Sequence, residues 1–127
     1  MSVPRSTTTV VRHNGSLADL QAYVHDWAKR LGWWDQDVEK DRSLGAILAL
    51  IHSEISEALE ELRDGHEPDE VYVDEKGKPQ GFGIELADAL IRILDTCERY
   101  GIDLQACFDQ KMAYNETRSW RHGGKRL

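Results

Sequence analysis

The sequence predicts an all-α, four-helix-bundle-like domain, and three observations carry that reading. Apolar residues recur at alternating spacings of three and four in four separate stretches. Capping residues and glycines sit where those stretches begin and end. The 127 residues suffice for one hydrophobic core, since a domain takes roughly 100 to 200 residues. Residues 1–127 therefore read as a single domain, with 1–15 as a flexible N-terminal segment and 116–127 as a basic C-terminal arm.

The first helix follows the capping pair Ser16 and Asp19 and carries Leu17, Leu20, Val24, Trp27 and Leu31 on one face before Gly32 stops it. The second starts near Ser43 and runs for about 20 residues through Leu44, Ile47, Leu48, Ile51, Ile55, Ala58, Leu59 and Leu62. Asp64-Gly65 and Pro68 end it. The third spans about Ile84 to Tyr100, buries Leu86, Leu90, Ile93, Leu94 and Cys97, and terminates at Gly101. Asp103 caps a fourth helix, which offers Leu104, Cys107, Phe108 and Met112 to the core and fades near Asn115. Between the second and third helices, Val71-Tyr72-Val73 and Gln80 to Phe82 suggest a small β-hairpin, with Pro79 as the feature that argues against it. Four helices of this size enclose a small core, so pairing with a second copy is expected.

Composition excludes several classes. The longest apolar run, Leu44 to Ile51, is far short of the roughly 20 residues that cross a bilayer, and residues 1–15 lack the apolar segment of a signal peptide, so a cytoplasmic protein with no membrane partner is expected. Cys97 and Cys107 are too few for a disulfide framework and read as packed thiols. A net charge of −7 argues against general nucleic-acid binding. The charge is uneven: from Lys111 onward there are five basic residues and one acid, Glu116. That tail is either a solvated end or an arm that closes over an anion.

The chemistry lies in the carboxylates. At about 100° per residue, Glu54, Glu57 and Glu61 share a narrow arc of the second helix, and Glu85, Asp88, Arg92 and Asp95 share a stripe of the third. Asp88 with Arg92 and Asp95 with Arg99 are i,i+4 pairs of the kind a solvated helix face carries. Glu54 and Glu57 differ, because like charges one turn apart beside an apolar arc repel, and a divalent cation would relieve that repulsion. Facing carboxylate pairs suit Mg²⁺, with Mn²⁺ as a substitute, whereas zinc prefers His or Cys.

The pattern Glu54-x-x-Glu57, 27 intervening residues, then Glu85-x-x-Asp88 resembles the signature of MazG-type nucleoside triphosphate pyrophosphohydrolases, the all-α NTP pyrophosphatase superfamily. The resemblance covers residues 17 to 122 and extends to Lys111-x-x-x-Asn115 and the Arg121 to Arg126 segment, which are similar to the C-terminal part of small phage and bacterial members. It implies a helical homodimer or homotetramer with Mg²⁺ on Glu54, Glu57, Glu85 and Asp88, and substrate near a subunit interface. It implies cleavage of a nucleoside triphosphate to monophosphate and pyrophosphate, with Lys111 and Asn115 on phosphate or sugar.

Beyond the resemblance, the helical stripe adds Arg92 and Asp95 to the substrate set, with Arg92 either on a phosphate or paired with Asp88. Glu57 is the preferred general base, although residue type does not separate base from ligand among the four acids. Arg118, Arg121 and Lys125 suit phosphate oxygens, Gly123-Gly124 permit close backbone approach, and His122 is a further substrate candidate. Trp27 belongs to the core. Of the adjacent Trp33 and Trp34, one is a base platform or an interface anchor, and Trp34 is placed in the substrate set. His25 and His52 read as ordinary surface histidines. Two other classes compete with the hydrolase: a nucleotide-binding sensor and a catalytically idle helical interaction protein.

Overall fold

The computed structural model describes residues 13–35 and 43–118. Four helices and one hairpin occur among them: α1 (Leu17–Arg30), α2 (Leu44–Arg63), β1 (Tyr72–Val73), β2 (Pro79–Gln80), α3 (Phe82–Arg99) and α4 (Leu104–Glu116). Each starts for a local reason. Ser16 and Asp19 form a reciprocal capping box at α1, Ser43 Oγ accepts from the Ala46 amide at α2, and Asp103 accepts from the Ala106 amide at α4. Gly81 opens α3 at φ 141°, two residues earlier than the apolar spacing alone indicates. Any side chain at Gly81 would collide with the Glu70 carbonyl, so the hairpin can turn into α3 only through glycine there.

The hairpin forms despite Pro79. Tyr72 pairs with Gln80 and Val73 with Pro79 in an antiparallel register, and a two-stranded ribbon leaves every strand an edge, where the missing proline amide costs no ladder bond. Phe82, expected in the second strand, begins α3 instead.

Helix α3 is central, with α1 and α2 packed on it. The buried core is narrow: Val24 and Ala28 of α1, Trp34, Ile47 and Ala58 of α2, and Ala89, Leu94 and Cys97 of α3. Small residues on facing helices let the backbones approach closely, and this brings polar side chains of α2 and α3 into contact. Gln21, itself buried, ties down the α3 to α4 corner by donating to the Ile102 carbonyl at 2.8 Å and accepting from the Leu104 amide at 3.1 Å.

Several residues expected in the core are exposed. Leu44, Leu48, Ile55, Leu59 and Leu62 of α2 project from the chain, as do Leu86 and Leu90 of α3 and Phe108 and Met112 of α4. Helix α4 buries none of its residues, and Cys107, expected as a packed thiol, is exposed while Cys97 is buried. Around α2, the buried Ile47, Glu54 and Ala58 occupy one side of the apolar arc, and the exposed Leu44, Leu48, Ile55, Leu59 and Leu62 fall within roughly 60° on its other side. One chain covers only half of that arc. No helix among the described residues is long and apolar enough to cross a membrane.

Candidate functional site

The close approach of α2 and α3 aligns the two carboxylate stripes. Glu54, Glu85 and Asp88 each offer an oxygen such that all three lie within 4.8 Å of one another, with Glu54 and Glu85 buried to 9% and 6% exposure. An octahedral Mg²⁺ with oxygens at 2.0–2.1 Å spans about 4.2 Å between opposite ligands, so small side-chain rotations would let this donor set hold such an ion. All-oxygen chemistry with no histidine or cysteine in the cluster fits Mg²⁺ or Mn²⁺ rather than zinc.

Glu57 stands outside that triad but is near enough to act on the Glu85 carboxyl. Burial, then the hydrogen bond and negative charge of Glu57, then Asp88 and Glu54, push the Glu85 carboxyl up to about 7. Burial and the charge of Glu54 also raise Asp88, against the opposing pull of Arg92 and Lys78. A cluster that holds a proton near neutrality because its carboxylates are buried and crowd one another is one a divalent cation would stabilise.

This has a measurable consequence. The raised Glu85 pKa means that the metal-free folded protein keeps a proton the unfolded chain has released, so stability of the metal-free protein falls as pH rises from 4.5 towards about 7. A divalent cation bound there would have to displace that proton. The rise in Tm on adding Mn²⁺ or Mg²⁺ is therefore expected to be larger at pH 8 than at pH 6, measured by thermal denaturation in each buffer. An equal rise at both values would show that the ion does not displace a proton from Glu85.

Around the carboxylates lies a hollow of about 340 Å³ lined by Trp27, Trp33, Glu54, Glu57, Lys78, Asp88, Ile91 and Arg92. Arg92 donates from Nε to Glu54 at 3.0 Å across the helix pair, so its partner is Glu54 rather than Asp88. The second helix lacks a basic residue on its acidic strip; α3 supplies one. The Arg92 guanidinium also lies 5.7 Å from the Trp33 ring centroid, and Trp33 stacks edge-on against Trp27 at 4.9 Å. The tryptophan on the acidic hollow is thus Trp33, with the core-assigned Trp27 beside it.

Trp34 and Asp95 stand apart from that hollow. Trp34 is buried, and its indole NH donates to both oxygens of Asp95 at 2.9 and 3.0 Å. His25 Nδ1 approaches the same carboxylate at 2.7 Å. Asp95, at 3% exposure, is an anchor between α1, the Trp34 turn and α3 rather than part of a solvated stripe. His25 is mostly buried rather than an ordinary surface residue. Arg99, expected as the partner of Asp95, lies over the Trp34 and Tyr100 rings at 5.6 and 5.7 Å.

Glu61, on the same arc as Glu54 and Glu57, also leaves the acidic cluster. It accepts from the Tyr72 hydroxyl at 2.8 Å, which pushes the phenol up to about 12, and the Tyr72 ring stacks on His66 at 4.5 Å. These contacts tie the hairpin to the end of α2. Lys78, missed by motif reading because it lies on a hairpin rather than a helical stripe, thereby reaches the hollow.

Lys111 and Asn115 lie on exposed α4, away from the acidic hollow, and Lys111 lines an open depression with Cys107, Gln110 and Tyr114. Arg118 is exposed at the end of the described segment, with its guanidinium over the Tyr114 ring at 6.0 Å. Arg121, His122 and Lys125 lie outside the described residues. No family model, curated protein or solved structure matches this chain.

Proposed function

We propose that this chain is a Mg²⁺-dependent nucleoside triphosphate pyrophosphohydrolase of MazG type, cleaving between the α and β phosphorus atoms. The supporting observation is the meeting of Glu54, Glu85 and Asp88 within 4.8 Å, with Glu54 and Asp88 lining a hollow that also holds Glu57, two cations and two indoles. Bound by Glu54, Glu85 and Asp88, Mg²⁺ would supply charge neutralisation on the triphosphate and acidification of water. Glu57, outside the triad, takes the proton of the attacking water as its oxygen bonds to the α phosphorus; the bond from that phosphorus to the bridging oxygen breaks, and pyrophosphate leaves. Trp33 and Trp27, set edge to face, offer apolar ring surface for the base. Arg92 holds Glu54 in place.

The test is incubation of the purified protein with Mg²⁺ and individual common and modified ribo- and deoxyribonucleoside triphosphates, with products separated by anion exchange. Monophosphate with pyrophosphate is expected. Diphosphate with orthophosphate would contradict the cleavage position, and Mg²⁺-dependent nucleotide binding without turnover would replace the enzyme by a nucleotide sensor.

The same reading includes a homodimer or homotetramer. The stripe Leu44, Leu48, Ile55, Leu59 and Leu62 runs about 27 Å along α2, long enough to seat a helix of a second copy, and Leu86 and Leu90 of α3 add to the exposed apolar surface. Lys111 and Asn115 would then serve a site through the assembly rather than within their own chain. Ile55 is 49% exposed in the single chain, so Ile55→Glu leaves that fold nearly intact while placing a charge on the stripe. Light scattering is expected to show the variant at monomer mass, and a wild-type mass retained by the variant would place the interface elsewhere.

A further inference from the structure

Lys78 occupies a position that neither the acidic motif nor the helical periodicities explain. It lies between the β strands, in a turn organised by one side chain: Asp74 accepts from the amides of Lys76 and Lys78, both at 2.9 Å, and from the Gln80 amide group at 3.1 Å. The Asp74 amide in turn donates to the Lys78 carbonyl at 2.9 Å, and Gly77 takes the left-handed conformation the turn requires at φ 80°. At its other end the hairpin is fixed to α2 by the Tyr72 to Glu61 hydrogen bond. The Lys78 backbone is therefore held from both sides.

Its side chain lines the hollow with Glu54, Glu57 and Asp88. Among the described residues the Lys78 ammonium forms no ion pair with any carboxylate, whereas Arg92, the other cation of the hollow, is engaged by Glu54. An exposed, hydrated ammonium on a pinned backbone beside a metal-type carboxylate cluster is placed to meet an anion that arrives with the metal.

We propose that Lys78 binds the terminal phosphates of the nucleoside triphosphate, the part that departs as pyrophosphate, and that Asp74 is the positioning residue that sets it there. This rests on the hydrolase reading above. Glu54, Glu85 and Asp88 would hold the ion, and the hairpin-borne cation that shares the hollow with Glu54 and Asp88 would hold phosphates that the ion does not reach. A fixed ammonium orders those phosphates without competing for the metal, because lysine has donors and no acceptor.

The experiment measures Mn²⁺ binding to the full chain by titration calorimetry, then inorganic pyrophosphate binding in saturating Mn²⁺, for the wild type, Lys78→Met, Lys78→Arg and Asp74→Ala. Lys78→Met is expected to bind Mn²⁺ at least as tightly as the wild type, since a positive charge beside Asp88 is gone, and to bind pyrophosphate about 10- to 100-fold more weakly. Lys78→Arg should recover most of that loss. Asp74→Ala should weaken pyrophosphate binding with Mn²⁺ affinity unchanged, a pattern general damage to the fold would not give. Unchanged pyrophosphate affinity in Lys78→Met, with Mn²⁺ still bound, would overturn the assignment of Lys78 alone. A wild type that binds no Mn²⁺ would overturn the metal site and the assignment together.

Discussion

Asp88→Asn is expected to lower kcat for the proposed triphosphate hydrolysis by about a thousandfold or more while leaving the helical circular dichroism spectrum unchanged. The substitution keeps shape and removes one charge from the three oxygens that lie within 4.8 Å of one another. Because burial and Glu54 already raise the Asp88 carboxyl, neutralising it relieves repulsion in the metal-free protein, so Tm without metal is expected to hold or rise. Mn²⁺ affinity should fall in parallel with activity. Glu57→Gln separates the two roles, since Glu57 lies outside the triad: kcat should fall comparably while Mn²⁺ remains bound. Product release measured by anion exchange, beside Mn²⁺ titration, tests both, and wild-type turnover in Asp88→Asn would remove the acidic cluster from the mechanism.

Asp95→Ala is expected to cost about 3 kcal/mol of folding stability, lowering Tm by about 10 °C. Asp95 receives the Trp34 indole NH at both oxygens and His25 Nδ1 at one, with Asp95 and Trp34 both buried, so its removal strands two donors. Asp95→Asn keeps an oxygen for the indole and should lose less. Chemical denaturation monitored by tryptophan fluorescence reads the effect directly. A loss below about 1 kcal/mol in Asp95→Ala would mean that water replaces the carboxylate and that the anchor is not closed.

Legibility followed locality. Ser16, Ser43 and Asp103 each cap the helix they precede, and Gly101 ends α3 in the left-handed conformation, because these effects act within one turn of the backbone. Glu54 and Glu85 were legible as candidates because a helix repeats about every 3.6 residues and both lie on faces that border apolar ones. Asp95 was legible as a member of the same stripe and nevertheless has another task. One helical wheel gives the direction in which a side chain leaves its own axis; it does not say whether Trp34 and His25 or a hollow waits there. Arg92 illustrates the same limit, since its local partner by spacing is Asp88 and its actual partner, Glu54, belongs to another helix.

By itself the sequence determined which segments become helices, where they stop, and which residue types could gather a hard cation. Those are properties of short-range hydrogen bonding, steric preference and period. Only tertiary structure decided that Glu54, Glu85 and Asp88 converge while Glu61 turns to Tyr72, that Trp33 faces the hollow while Trp34 is buried on Asp95, and that a hairpin brings Lys78 to the acids. It also decided which half of the apolar arc of α2 is covered within one chain. The reason is geometric: the rotation and spacing of α2 against α3 are set by the burial of Ile47, Ala58 and Ala89 and by every other contact of the core, and no single segment contains that sum.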